Sequence, residues 1–279
     1  MFFFNYNGRL LANGTPVINA DNRGLRYGDG LFETMKCLNG KIILNDEHFA
    51  RLWKGMQLLQ FELPKHFTPE KLQQEILNLA IKNNHLKAAR IRLTILRGDG
   101  GLYDIINQQP NYIIQTWALL NDTENLNSNG LVMGIYKDVK KSCDILSNIK
   151  HNNYLPYVMA ALKAKKEKWN DAVVLNTSGT VCDTTIANIF FSKENIIYTP
   201  ALQDGCVAGV MRQHFIVQLK HAGLNCIEKS ITIDELLDAD EVFLTNSIYN
   251  LRWVQQIQEK KYINSIIQKI YTAVLPTIL

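Results

Sequence analysis

The stretch SNIKHNNYLPYVMA, Ser147 to Ala160, sets a single lysine, Lys150, directly before a largely apolar, helix-like run. Upstream of it LVMGIYK, Leu131 to Lys137, reads as a strand. Downstream DAVVLNT, Asp171 to Thr177, reads as another. Strand, helix and strand in succession make an α/β unit. The alternation continues through ANIFFSK (187–193) and NIIYTP (195–200) as strands, GVMRQHFIVQLKHAG (209–223) as a helix and DEVFLTNS (240–247) as a strand. Neither a G-x-G-x-x-G nor a Walker pattern accompanies it, so a nucleotide site is not indicated. A lone lysine is ordinarily a solvated charge. Tyr154, read as one helical turn beyond Lys150, makes this one worth weighing against its surroundings.

The first half of the chain mixes strands and helices. KIILNDEHFARLWKGMQLL passes from a short β-like run through Asp46 as a helix cap into a helix with Phe49, Leu52, Trp53, Met56 and Leu59 on one face. TPEKLQQEILNLAIKNN opens with Thr68 as cap and Pro69 at the first helical position. AARIRLTILRG and NYIIQTWALL are strand candidates on either side of a Gly-rich RGDGG. The polar stretch Asn121 to Gly130, NDTENLNSNG, lacks apolar periodicity and reads as a linker. The expected organisation is a small α/β domain over 1–120, the linker over 121–130, and a larger α/β domain over 131–279.

Composition narrows the function. With 279 residues, 47% hydrophobic and 20% charged, the chain suits two folded domains better than disorder. A net charge of +4, with its basic residues scattered, makes nucleic acid an unlikely main partner and is compatible with an anionic small molecule. The start MFFFNYNGRL is too short in its apolar part for a signal peptide, and no apolar run is long enough to span a bilayer, so no membrane partner is expected. Five dispersed cysteines without a C-x-x-C pair suggest reduced thiols in a cytoplasm, and the six histidines show no metal-ligand spacing.

Several polar residues of the second half sit where core patterning would not put them. Asp183 and Asn188 stand inside the β-rich SGTVCDTTIANIFF, although both types are also common in turns. Gly209 leads a helix whose first residues are Val210 and Met211, and unpaired amides at such an end suit a phosphate. Lysine, tyrosine, carboxylate, glycine-led helix and then LTNS is an order that would serve pyridoxal phosphate. It supplies an amine for a Schiff base, a phenol beside the ring oxygen, a carboxylate for the ring nitrogen and a phosphate cup.

DNRGLRYGDGLFET (21–34), HFARL (48–52), IKHNNY (149–154), GTVCDTTIANIF (179–190), IYTP (197–200), CVAGVMR (206–212) and EVFLTNS (241–247) together resemble the class IV aminotransferases, the fold type IV pyridoxal phosphate enzymes related to D-amino acid aminotransferase. The resemblance implies a two-domain α/β (α+β) fold, pyridoxal 5'-phosphate in the cleft between the domains, a homodimer and a small-molecule amine substrate. It assigns Lys150 to the Schiff base and Arg51 to the phosphate. Tyr154 falls near the phenolic oxygen, Val210 and Met211 give phosphate amides, and Ser247 or Asn246 is a further ligand. Position 183 is usually glutamate in the family, and here the aspartate is one methylene shorter. Lys141, nine residues before Lys150, serves as the comparison lysine.

Within the family, RGDGG, TNSIYNLRWV and IKHNN resemble the 4-amino-4-deoxychorismate lyases, while GGLYD lacks the arginine those enzymes often carry there. The lyase resemblance implies conversion of 4-amino-4-deoxychorismate to 4-aminobenzoate and pyruvate, a step of folate synthesis. Arg26, Arg97 and Arg252 are the candidates to meet a dianionic substrate. The alternatives are a class IV transaminase acting on a branched-chain or D-amino acid, and a cofactor-binding homologue without turnover. A catalytic Lys150 needs a neutral amine for part of the cycle, which neighbouring positive charge or burial would favour.

Overall fold

The computed structural model describes residues 1–104, 108–119 and 125–278. The chain divides into two compact units. One is Met1–Thr123 with Ile149–Asn153, and the other is Glu124–Asn148 with Tyr154–Leu279. Residues 121–124 of the expected linker lie outside the described residues.

The first unit contains β1 (Phe3–Tyr6), β2 (Arg9–Ala12), α1 (Arg23–Tyr27), β3 (Gly30–Leu38), β4 (Lys41–Ile42), α2 (Asn45–Leu58), α3 (Pro69–Lys82), β5 (Ala88–Leu96) and β6 (Asn111–Ala118). Its sheet runs β2-β1-β6-β5-β3-β4. β3 and β5 pair antiparallel over nine residues, from Gly30 opposite Leu96 to Leu38 opposite Ala88. The buried sides of α2 (Phe49, Leu52, Met56) and α3 (Leu72, Ile76, Leu79) join Met35, Ile91 and Leu93 of the sheet in one core. Each such side chain contributes roughly 1.5–3 kcal/mol of apolar burial. Thr68 caps α3 as its sequence suggests, its hydroxyl accepting from Lys71 N. The cap expected at Asp46 is not there. Leu44 precedes α2 in a left-handed conformation (φ 52°), the helix begins at Asn45, and Asp46 falls inside its first turn, where it complements the positive end.

The sequence reading gave Lys150 to the second domain and set Tyr154 one helical turn beyond it. The structure corrects both points. Ile149–Asn153 belongs to the first unit because it pairs with the start of β3: Phe32 N donates to Lys150 O (2.8 Å), Asn152 N donates to Gly30 O (3.0 Å), and His151 bridges Leu31. The helix begins only at Leu155, with Pro156 in its first turn, where a missing N–H costs nothing.

The second unit contains β7 (Leu131–Lys141), α4 (Leu155–Lys166), β8 (Asp171–Asn176), β9 (Val181–Thr184), β10 (Asn188–Lys193), β11 (Ile196–Pro200), α5 (Val210–His221), β12 (Cys226–Lys229), α6 (Ile233–Leu237), β13 (Glu241–Asn246), β14 (Asn250–Ile257), β15 (Lys260–Lys261) and α7 (Ser265–Val274). Its mixed sheet runs β12-β11-β10-β13-β14-β7-β8-β9. The pairs β14/β7, β7/β8 and β11/β12 are parallel and the others antiparallel. Alternate residues face opposite sides of a strand. Tyr136, Ala172 and Val174 accordingly pack with Tyr157, Ala160 and Ala164 of α4, whereas Met133, Ile135, Val173, Leu175, Ile189, Leu244 and Val254 form a core on the other face. Among the described residues no helix is long and apolar enough to cross a membrane, and no cluster of side chains could hold a metal ion.

Candidate active site

In the first unit, β3 and α2 face each other across a buried charged group. Glu33 accepts from Arg51 at both oxygens, Nε at 2.7 Å and Nη2 at 2.5 Å, and from His48 Nδ1 at 2.7 Å. His48 and Arg51 are one turn apart on α2, which turns both toward Glu33. Burial alone would push the Glu33 carboxyl up, but Arg51 and His48 outweigh it and hold it at about 2. Burial pushes His48 down, so the ring is neutral and donates from Nδ1. Arg51 is thus oriented by a fixed carboxylate, not free to roam. Beside this group the Phe32 ring carries two cations, Arg92 Cζ at 3.7 Å from its centroid and Lys150 Nζ at 4.5 Å.

In the second unit the centre is Asp183 on β9, 2% exposed. Its Oδ2 accepts from Tyr157 Oη (2.7 Å), Val207 N (2.9 Å) and Lys141 Nζ (3.4 Å), and its Oδ1 accepts from Asn188 Nδ2 (2.8 Å). Burial, then the Asp183 charge, push the Tyr157 phenol well up, so it remains a donor. Tyr154 stacks on Tyr157 with centroids 4.3 Å apart. Gly209 caps α5, and a Cβ there would lie 1.9 Å from Asn188 Oδ1, so only glycine lets the backbone come this close. Val210 and Met211 follow as the first residues of that helix, whose opening amides have no partner within it. Asn188 stands opposite Thr245 across β10 and β13, and the buried Thr245 hydroxyl has no hydrogen-bond partner among the described residues. Ser247, in the turn after β13, makes no hydrogen bond among the described residues. A buried carboxylate, a glycine-led helix end and an orphaned hydroxyl are what a phosphorylated pyridine would satisfy, so the second unit fits pyridoxal phosphate.

Other sequence candidates are placed differently. The Asn246 side chain caps its own turn, accepting from Ile248 N and Tyr249 N. Arg97 is buried in a structural role: it holds Asp29 through Nε, reaches Gln108 and the Leu59 carbonyl, and lies over the Phe61 ring. Arg26 is exposed, with Asp21 and the Tyr27 ring as neighbours. Arg252 sits over the Tyr249 ring and lines a cavity of about 240 Å³ together with Leu244 and Asp171. Arg252 pairs with Leu244 across β13 and β14 and therefore shares its sheet face, opposite to the one that carries Asp183 and α4. Within the first unit Arg26 and Arg97 keep these separate neighbours, and Arg92 is the cation that shares the Phe32 ring with Lys150.

Sequence reasoning missed Glu33, His48, Arg92, Lys141, Tyr157 and Thr245 as site neighbours. Arg92 and Thr245 were hidden in strand patterns that only pairing resolves. Lys141 is brought to Asp183 by an irregularity of β7: pairing with β8 runs to Tyr136 opposite Val174 and resumes at Lys140 opposite Leu175. Such a bulge re-aims the residues that follow it and leaves no composition signal.

Residues 30–257 match the family described as amino-transferase class IV. The chain is 29% identical over 256 residues to the D-alanine aminotransferase of Bacillus licheniformis, covering 87% of this chain and 83% of that one. It is 29% identical over 261 residues to the aminodeoxychorismate lyase of Bacillus subtilis (strain 168), covering 92% and 87%. A crystal structure of a putative 4-amino-4-deoxychorismate lyase from Legionella pneumophila superposes with a TM-score of 0.82 at 28% identity, covering 93% of this chain and 95% of that one.

Proposed function

The chain belongs to the class IV aminotransferase family, the pyridoxal phosphate enzymes of fold type IV, and we propose that within it this enzyme is a lyase that converts 4-amino-4-deoxychorismate to 4-aminobenzoate and pyruvate. The relatives do not separate lyase from transaminase, since both kinds stand at equal identity. What carries the lyase reading is the turn after β13, where TNS is closed by the Asn246 side chain. That segment resembles the lyase pattern and departs from the G-T-A of branched-chain enzymes.

On this reading Lys150 holds the cofactor covalently and Asp183 meets its ring nitrogen. Tyr154 meets its phenolic oxygen, and Arg51, the amides of Val210 and Met211, and the hydroxyls of Thr245 and Ser247 hold its phosphate. Bound there, the cofactor withdraws electrons from an attached amine and makes the adjacent C–H acidic. Lys150 Nζ would take the proton from the ring carbon that bears the substrate amine. The C–O bond to the enolpyruvyl group then breaks, and the proton is returned to the departing methylene carbon, giving pyruvate and an aromatic ring. Arg92, on the same Phe32 ring as Lys150, meets a substrate carboxylate. By the same family resemblance the enzyme is a homodimer, a point sedimentation would check.

The decisive experiment incubates the purified protein, loaded with cofactor, with 4-amino-4-deoxychorismate and follows 4-aminobenzoate and pyruvate. Release of both in equal amounts is expected. Faster amino transfer from D-alanine or a branched-chain amino acid to a 2-oxo acid, with no 4-aminobenzoate, would replace the lyase by the transaminase reading.

A further inference from the structure

Lys141 is 4% exposed, and its ammonium has two acceptors, Ser147 O at 2.8 Å and Asp183 Oδ2 at 3.4 Å. A buried lysine without a counter-charge is costly, so the pair with Asp183 is what allows it to be there. The donors around Asp183 are unevenly shared: Lys141, Tyr157 and Val207 converge on Oδ2, whereas Oδ1 has Asn188 alone. The Tyr157 phenol and the Cys182 thiol beside the carboxylate are both held in their neutral forms, by burial first and by the Asp183 charge second. Around this carboxylate Lys141 is therefore the balancing cation among the described contacts.

We propose that Lys141 is a positioning residue for the cofactor's ring nitrogen: by fastening Oδ2 it leaves Oδ1 to face the ring, and by balancing the carboxylate charge it weakens the hold of Asp183 on a ring-nitrogen proton. The inference rests on the cofactor reading above. A chain with aspartate at this position brings the charge closer to its own strand, and the lysine then sets how much of that charge reaches the ring. Opposite charges at such separations interact strongly away from water, and a nearby cation offsets a carboxylate's field in proportion.

The test uses holoenzyme carrying pyridoxal phosphate labelled with nitrogen-15 in the ring, with solid-state NMR reporting how far that nitrogen is protonated. Lys141→Met is expected to move the resonance toward the protonated value, and Lys141→Arg to restore the wild-type position. An unchanged resonance in Lys141→Met, or movement the other way, overturns the proposal. A purely structural ion pair would alter stability in that variant and leave the ring resonance where it was. Borohydride reduction of the wild type followed by peptide mapping separates the two layers. No adduct on Lys150 would remove the cofactor reading and this proposal with it, whereas an adduct with an insensitive resonance would remove this proposal alone.

Should Lys141→Met fail to fold, a second measurement needs no cofactor. Thermal unfolding of Lys141→Gln, Asp183→Asn and the double variant is expected to show the double close to the milder single, because removing both charges leaves neither one unpaired. Strictly additive losses would show that the two residues are not a pair, and would overturn the proposal.

Discussion

Lys150 sits on a short irregular segment whose carbonyl is bound by Phe32 N, so its backbone is fixed while its side chain rests on the Phe32 ring. Lys150→Ala removes that side chain without touching the backbone bond. We expect loss of the borohydride-reducible cofactor adduct and of nearly all turnover, with a melting temperature close to the wild type. An adduct that persists would place the anchor at another lysine. Arg92 shares the same ring and is assigned to ground-state binding of a carboxylate. Arg92→Leu should therefore raise KM about tenfold or more, near 1.4 kcal/mol, with a smaller effect on kcat. A fall in kcat at unchanged KM would argue instead for a role confined to the transition state. Asp183 shows how far a single position can be read from sequence. A carboxylate inside an apolar, β-rich run is visible there as a residue out of pattern. The four donors on that carboxylate come from β7, α4, β10 and the loop before α5, and no local pattern could have joined them.

Between β3 and α2 the charged group Glu33, His48 and Arg51 ties strand to helix alongside the apolar packing of Phe49, Leu52 and Met56. The Glu33 carboxyl is held at about 2, below its ordinary 4.5, by Arg51 and His48 acting against burial. Its contribution is therefore complete above pH 4.5 and is lost as the pH falls from there toward 2. On the linkage relation that loss is on the order of 3 kcal/mol. His48 is lowered from 6.5 by burial, so protonation favours the unfolded chain and the loss begins already below pH 6.5. Urea midpoints are expected to drift down from pH 7 to 5 and to fall more steeply from pH 4.5 to 3. Glu33→Gln should be less stable at pH 7 and should flatten the steep part, and an equally steep fall in that variant would locate the acid sensitivity elsewhere. At this scale most elements were legible, because helix faces and strand runs follow periods that sequence displays. The failures fall at junctions: α2 starts after a left-handed Leu44, and β7 carries an irregularity before Lys140, both set by tertiary fit.

The polar stretch at residues 121–130 reads as a linker, but nothing local to it signals the return of Ile149–Asn153 to the first unit, a pairing across more than a hundred residues. That discontinuity has a consequence for folding. A chain ending at residue 123 has every strand named above for the first unit, yet lacks the segment that pairs with Gly30, Leu31 and Phe32. The Phe32 amide would lose its acceptor, Lys150 O, and the Gly30 carbonyl its donor, Asn152 N. Ile149, 7% exposed and packed near Gly55 of α2, would be missing from the apolar contacts there. An uncovered strand start exchanges its amides through local opening at little free-energy cost. For a fragment of residues 1–123 we therefore expect fast hydrogen exchange at Phe32 while amides within the β3/β5 pairing, such as Met35, stay protected. A synthetic peptide spanning residues 147–155 should slow the Phe32 exchange at least tenfold at saturating concentration. Phe32 protection in the fragment alone would show that the first unit is complete without its returning segment.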